Sequence, residues 1–239
     1  MILLWWAVAS LGIWNRTLFP SPLEVAQSLW YMVQDGSLFI ATAVSLKRVI
    51  IGFGISLAVG IPLGIVLARV KWMENTFGSL VTGFQALPSI CWLPLALLWF
   101  GLNDNAILFV IIMGSLMTVA IAVSDGVKNI PPLYVRAALT MGTRPLPLYA
   151  EVLLPASLPT LITGAKLGWA YAWRALMSGE LLFVSLGLGH LLMMGRDLAD
   201  MGQVMGIMLV IIVLGLLVDR CIFAVIEARV RERWGLTTA

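Results

Sequence analysis

Arg174 is the residue of this chain whose type and position point most directly to chemistry. It lies near the middle of an apolar segment, where a charged side chain costs roughly 2.5 to 3.5 kcal/mol on insertion scales, so it should face protein or a cavity. Helical spacing places Tyr171 and Ser178 on its face, whereas Glu180 shares a different face with Trp173. Because a planar guanidinium suits oxyanions, these residues are candidates for contact with an anionic solute such as a sulfonate, nitrate or carboxylate.

A structural role for Arg174 is the alternative. In that case the guanidinium pairs with an acid elsewhere, either the partner subunit's Glu180 or Asp219. Trp92 and Trp99 would either line the same path or anchor the chain at the membrane interface.

Groups that would support catalysis are sparse in this sequence. There is one histidine, no His-x-x-x-His, no Gly-x-Ser-x-Gly, no pair of intramembrane aspartates and no GxxxxGK[ST] loop for phosphates. The two cysteines, Cys91 and Cys221, form no CxxC, and we expect both to be small buried hydrophobes. We therefore expect no catalytic residue, no metal site and no cofactor in this chain. An intramembrane enzyme is an alternative that these absences count against.

The composition identifies the main solvent of the chain. Of its 239 residues, 61% are hydrophobic and 11% charged, with a mean hydropathy of +0.99, whereas soluble domains carry about 25% charged residues. This excludes an ordinary water-soluble enzyme. The net charge of +3 comes from basic residues that border apolar segments, which membrane topology explains better than a nucleic-acid partner. The sequence predicts an all-α polytopic membrane protein surrounded by lipid.

Six apolar segments are candidates for transmembrane helices, and we expect them to form one transmembrane domain over residues 1–239. They are residues 1–14, 38–68, 77–100, 106–123, 159–182 and 204–225. The second contains Lys47 and Arg48, whose long side chains could snorkel, and a Gly60-x-x-x-Gly64 spacing that permits close helix contact. Pro88 and Pro94 predict that the third is broken or kinked.

Basic residues favour one orientation. With both termini in the cytoplasm, nine basic residues of the loops and tail lie inside and four lie outside. This orientation also places residues 124–158, the one long polar segment between spans, in the cytoplasm.

The residues of this middle loop predict a helix-turn-helix. Residues 135–141 can form a short helix, Gly142 supplies a turn that favours positive φ, and residues 146–154 can form a second helix that ends before Pro155. The small side chains of Ala137 and Ala138 would then form a flat surface that a partner can approach closely. An amphipathic loop lying on the lipid headgroups is the alternative.

The loop resembles the EAA loop of the membrane subunits of ATP-binding-cassette importers. That motif is Glu-Ala-Ala, three residues, Gly, nine residues, an aliphatic residue, any residue and Leu-Pro. Every spacing matches in this sequence, through the residues Arg136, Ala137, Ala138, Gly142, Val152, Leu154 and Pro155. The departure is Arg136 in the position of the glutamate.

Three further segments are similar to the nitrate, sulfonate, taurine and bicarbonate permeases within that family. They are Leu-Phe-Pro-Ser-Pro at 18–22, Trp-Leu-Pro-Leu at 92–95 with Leu-Trp-Phe-Gly at 98–101, and Gly-Leu-Gly-His-Leu at 187–191 followed by Arg196.

The resemblance implies a type I importer permease fold with a cytoplasmic coupling-helix loop. It implies a multi-pass protein of the bacterial inner membrane that moves a small, anionic solute by alternating access. The implied partners are a second permease copy, forming a homodimer, two ATPase subunits that dock on the middle loop, and an external solute-binding protein. ATP and Mg would be bound by the partner ATPase and not by this chain. An ATP-independent, ion-coupled carrier is the alternative, against which the matched loop and the lack of a detectable inverted repeat count.

Overall fold

The computed structural model describes residues 5–6, 19–144, 147–182 and 185–234, and in these ranges the chain forms helices and no strand. The helices are α1 Pro22–Gln34, α2 Ser37–Arg69, α3 Lys71–Ala86, α4 Ser89–Phe100, α5 Asp104–Lys128, α6 Pro132–Thr140, α7 Leu154–Leu182, α8 Leu188–Asp197 and α9 Met201–Arg233. Short π-helical segments occur inside α3 and α9, and a third, Leu148–Leu153, leads directly into α7. The all-α prediction is confirmed.

Helix α5 is the centre of the bundle, with α2 packed on one side and α7 on the other. Small residues of α2 recur every fourth position at Gly52, Ser56, Gly60 and Gly64, and they lie against α5. A Cβ built on Gly60 would be 2.9 Å from Val119 Cγ1, so the two backbones approach as closely as the predicted Gly-x-x-x-Gly spacing permits.

Several of the predicted spans coincide with long apolar helices. Helices α2, α5 and α9 are each long and apolar enough to cross a bilayer, and α3 with α4 would form a fourth span if counted as one broken unit. The first predicted span, 1–14, lies outside the described residues except for Trp5 and Trp6. Helix α7, the predicted fifth span, has 29 residues but is less apolar than these helices, because it contains Lys166, Arg174 and Glu180.

The third span is broken, as its prolines predict, but only one of them lies at the break. The axes of α3 and α4 meet at 104°, and the helix stops at Leu87 and Pro88. Pro94 lies in the first turn of the α-helical part of α4, where its missing N–H would have no helical partner.

Two predicted boundaries of the middle loop are wrong. The predicted start at residue 124 falls inside α5, which continues to Lys128, whose ammonium lies 2.7 Å from a Glu74 carboxylate oxygen. The second loop helix does not end before Pro155, because the segment Leu148–Leu153 runs on into α7 and Pro155 falls in the first turn of that α-helix. The region between the two long helices is therefore residues 129–153.

The segment before the second span is a well-capped helix. Ser21 Oγ accepts from Glu24 N, and Glu24 Oε2 accepts from Ser21 N, which completes a capping box at the start of α1. After α1, hydrogen bonds from Ser37 lower the pKa of Asp35, because they stabilise the charged carboxylate.

Candidate functional site

A cavity of about 560 Å³ lies at the break between α3 and α4. It is bounded by the broken span, by α5 at Met113 and Gly114, and by α7. The freed backbone of a broken helix is tolerated in a membrane where it lines such a cavity. The lining residues are Phe84, Gln85, Ala86, Leu87, Pro88, Ser89, Ile90, Met113, Gly114, Tyr171, Arg174 and Ser178.

Arg174 is the one charged side chain among the described residues that line this cavity. Its guanidinium carbon is 5.3 Å from the centre of the Tyr171 ring, a cation–π contact on the same face of α7. Ser178 lies one turn further and donates a hydrogen bond to the Arg174 carbonyl oxygen at 3.0 Å. The predicted grouping of these three residues on one face is confirmed by their positions.

The acids suggested as structural partners of Arg174 are engaged within the chain. A Glu180 carboxylate oxygen lies 2.9 Å from Arg48 Nη1, and an Asp219 oxygen lies 3.1 Å from Lys166 Nζ. In the described part of the chain, no carboxylate lies within ion-pair distance of Arg174.

The other residues predicted for the solute path do not line the cavity. Trp173 is buried and stacks against Trp169, with ring centres 6.3 Å apart. Trp92 packs edge-on against Phe84, which does line the cavity, and Trp99 is mostly exposed. Glu180 is fully buried and lies about 120° around α7 from Arg174.

Sequence reasoning missed the partner of Glu180. Arg48, expected to snorkel toward headgroups, is only 5% exposed and pairs with Glu180 and with Asp104. Arg48 points into the protein rather than toward the headgroups, because Glu180 and Asp104 offer its guanidinium two charged acceptors there. The signal in the sequence was the presence of a cation, Arg48, in one apolar segment and of an anion, Glu180, in another.

The middle loop forms a small separate core beside the bundle. Ala138 is buried in it with Ile130, Leu148 and Leu153, so the expectation that Ala138 lies on the docking surface is wrong. Ala138 is turned inward because α6 lies flat against the segment that precedes α7. Gly142 adopts φ of +82°, as its place in the turn predicts.

Other motif residues of this loop are more accessible. Arg136 and Ala137 are exposed, Val152 and Pro155 are partly buried, and Leu154 is 38% exposed. The large apolar side chains Leu133, Tyr134, Leu139 and Met141 are also exposed on or just after α6. An exposed apolar patch of this kind marks a surface that contacts another protein or the membrane.

The cysteine prediction is wrong, since Cys91 and Cys221 are both exposed on the described chain. In a membrane protein an apolar residue on the outer surface of a helix meets lipid rather than water, so hydrophobicity alone does not predict burial. Among the described residues, no group of three or more His, Cys, Asp or Glu is placed to hold a metal ion.

The described chain is a helical bundle with a broken span, a cavity at the break and an exposed loop helix, and its sequence identifies the family to which this arrangement belongs. The sequence matches the family described as "Binding-protein-dependent transport system inner membrane component" over residues 60–232, and the chain belongs to this family.

Relatives by sequence carry the names of transport permeases. A protein of Methanocaldococcus jannaschii named as an ABC transporter permease is 34% identical over 220 residues, covering 90% of this chain and 82% of its own length. The aliphatic sulfonates transport permease SsuC of Escherichia coli is 28% identical and covers 98% of this chain and 88% of its own length. Other relatives are named as a taurine transport permease and a nitrate import permease.

The fold is that of a solved importer. A chain of the MetNI methionine ABC transporter, in an inward facing conformation, superposes with a TM-score of 0.69 at 20% identity. The match covers 80% of this chain and 95% of the MetNI chain.

Proposed function

We propose that this chain is the membrane subunit of an ATP-driven importer that moves a small anionic solute into the cytoplasm. The observation that carries the proposal is the single cation, Arg174, in a cavity built at the break of a span. A charge inside a membrane protein is costly to insert and is expected where function requires it.

The solute class follows from the chemistry of the cavity. The other polar side chains that line it, Gln85, Ser89, Tyr171 and Ser178, are neutral hydrogen-bonding groups. A guanidinium offers several donors to the oxygen atoms of one anion, which suits a sulfonate, taurine, nitrate or carboxylate. The named substrates of the relatives, aliphatic sulfonates, taurine and nitrate, fit the same chemistry.

The connectivity of the chain supports coupling of the loop to the cavity. Helix α6 lies between the end of α5 and the start of α7, and both of these helices line the cavity. Two ATPase subunits that bind ATP and Mg would dock on the α6 loop, so their closure would move α5 and α7 together. The spans would then alternate between inward-open and outward-open forms.

The remaining partners and the orientation follow from the same proposal. A second copy of this chain would close the cavity from its open side, and an external binding protein would deliver the solute. The α6 loop and both termini would lie in the cytoplasm, in agreement with the distribution of basic residues. No feature of the described residues favours an intramembrane enzyme or an ion-coupled carrier.

The test is uptake by cells that carry this chain with its own ATPase and binding protein. A labelled panel of nitrate, taurine, an alkanesulfonate, bicarbonate and an uncharged control would identify the solute. For the anion that is transported, Arg174→Gln should lower uptake by about tenfold or more, because the cavity loses its charge-assisted hydrogen bonds. Assembly of the complex and its basal ATP hydrolysis should stay unchanged.

Two variants sharpen this test. Arg174→Lys keeps the charge but loses the planar fork, so uptake should fall less than with glutamine. Arg196→Gln removes an exposed arginine that pairs with Asp197 outside the cavity, and uptake should equal that of the native chain. Loss of assembly in Arg174→Gln, or transport of the uncharged solute alone, would contradict the role proposed for Arg174.

A further inference from the structure

Helix α8 begins without a side-chain cap from its own segment. Its N-cap residue is Gly187, which has no side chain to accept a hydrogen bond. Two N–H groups of its first turn donate to side chains of other helices instead. Leu188 N donates to Ser45 Oγ of α2 at 2.9 Å, and Gly189 N donates to Glu180 Oε2 of α7 at 3.0 Å. The cap of α8 is therefore supplied by α2 and α7, the two helices that pack on α5.

The capping carboxylate is itself tightly held. Glu180 is fully buried, Ser45 Oγ lies 2.7 Å from Oε2, and Arg48 Nη1 donates to Oε1 at 2.9 Å. The same guanidinium donates to the Leu186 carbonyl oxygen at 2.7 Å, just before α8, and to Asp104 at the start of α5. The charge of Glu180 is thus balanced by Arg48, and both side chains join the backbone that leads into α8.

Two glycines leave room for this carboxylate. A Cβ added to Gly187 would lie 2.5 Å from Glu180 Oε1, and a Cβ added to Gly189 would lie 2.6 Å from Glu180 Cβ. Real Cβ atoms do not approach other heavy atoms so closely. Gly187 has an extended backbone, with φ of 166°, so the carboxylate and not the backbone conformation excludes a side chain there.

We propose that Glu180 is a positioning residue for transport, which caps α8 from α7 and fixes the turn and helix of residues 185–197 to the spans. It also fixes the rotation of α7, because Arg174 lies about 120° around the helix from Glu180 and so faces the cavity when Glu180 faces the cap. This inference rests on the proposed function for its effect on transport, but the capping itself can be measured without any solute.

The first experiment measures whether the start of α8 separates from α2 and α7 when the cap is removed. In the purified chain, Cys91 and Cys221 are replaced by alanine and the fully buried Leu188 by cysteine, and the rate of reaction with a polar maleimide is followed. Glu180→Ala should raise this rate by about tenfold or more, because the first turn loses a charge-assisted cap. Cysteine at Leu191, which is also buried, serves as a second reporter if the first disturbs folding.

A suppressor variant separates capping from general damage. Gly187→Asp in the native chain would collide with Glu180 and should raise the labelling rate. Combined with Glu180→Ala, the same aspartate occupies the vacated space at the N-cap beside Arg48, and the rate should return to within about threefold of the native one. Asp197→Asn, which changes an exposed carboxylate at the other end of α8, is the matched control and should leave the rate unchanged.

Uptake then tests the positioning role. Glu180→Ala should lower uptake while the complex still assembles and hydrolyses ATP at its basal rate, and Gly187→Asp should partly restore uptake. An unchanged labelling rate in Glu180→Ala, or additive rather than compensating effects of the two substitutions, would overturn the proposal. A native chain that transports none of the anions contradicts the proposed function, while the labelling rates still decide whether Glu180 caps α8.

Discussion

Gly142 shows how one residue determines the shape of the loop after α6. Its φ of +82° lies in the left-handed region, which costs other residues free energy because Cβ approaches the following carbonyl. A Cβ added to this residue would meet no heavy atom within 4 Å, so backbone strain is the sole cost of a side chain here. The turn lets the segment before α7 fold back on α6 and bury Ala138.

Replacing Gly142 by alanine should therefore loosen the loop by about 1 to 2 kcal/mol. Trypsin cleavage after the exposed Arg136 of α6, which is followed by alanine, would measure this because cleavage there requires local unfolding, and the variant should be cut faster than the native chain. Gly83→Ala is the matched control, since Gly83 is helical with open space around its Cα. That variant should be cut no faster than the native chain. Equal cleavage rates for Gly142→Ala and the native chain would contradict the claim that the backbone at residue 142 is strained for alanine.

At the scale of single residues, the sequence predicts the features that depend on residues close together along the chain. The positive φ of Gly142 and the shared face of Tyr171, Arg174 and Ser178 follow from local spacing along the chain. The pairing of Arg48 with Glu180 does not, because 132 residues separate them and many acids could have been the partner.

The interface of α2 with α5 shows how small side chains allow two helices to pack closely. From Gly52 to Gly64 every fourth residue of α2 is small, so α5 approaches the α2 backbone directly and Ser115 Oγ can donate to Ser56 Oγ at 2.7 Å. In a membrane, packing and interhelical hydrogen bonds replace the hydrophobic effect as the force between helices. The glycines therefore contribute by letting the two helices come close enough for this packing and this hydrogen bond.

A methyl group at Gly64 should separate the two helices. Its Cβ would contact the Ala120 carbonyl oxygen and lie 2.6 Å from Val123 Cβ, neither of which can move without shifting α5. We expect Gly64→Ala to cost about 1 to 3 kcal/mol and to lower the midpoint of thermal unfolding in detergent.

Gly54→Ala on the same helix is the control for this substitution. Its Cβ would meet nothing within 4 Å, and alanine is the better helix former, so the midpoint should stay the same or rise. A fall of equal size in both variants would show that the loss at Gly64 does not come from contact with α5, because a Cβ on Gly54 meets no such contact.

The element boundaries were predictable where composition changes sharply. The second span was predicted as 38–68 and is Ser37–Arg69, because polar residues flank a long apolar run. The fourth was predicted to end at 123 but continues to Lys128, because charged residues such as Asp125 extend a helix beyond the apolar core without breaking it. A boundary set by composition is thus a boundary of the apolar core rather than of the helix.

At the scale of the whole molecule, the cavity joins parts of the chain that are far apart in sequence. Its lining comes from residues 84–90 and 113–114 and from Tyr171, Arg174 and Ser178, so the prolines could predict the broken span but not which faces of α5 and α7 meet it. The α6 loop links those two helices at one end, and this continuity makes α6 the place where force from a partner would enter the bundle.

Helix α6 should therefore require its exposed apolar side chains for docking of the ATPase. Leu139 is 53% exposed, so Leu139→Glu should leave the fold intact and weaken co-purification of the ATPase by about tenfold, because a charge would be buried at the contact. Leu198→Glu is the matched control, since Leu198 is equally apolar, 68% exposed and lies beyond α8.

The two results together decide which surface binds the ATPase. Normal co-purification with Leu198→Glu and loss with Leu139→Glu would assign docking to α6. Retention of the ATPase by Leu139→Glu would instead favour a loop that lies on lipid headgroups, because a charge at the edge of a headgroup layer stays hydrated and costs little.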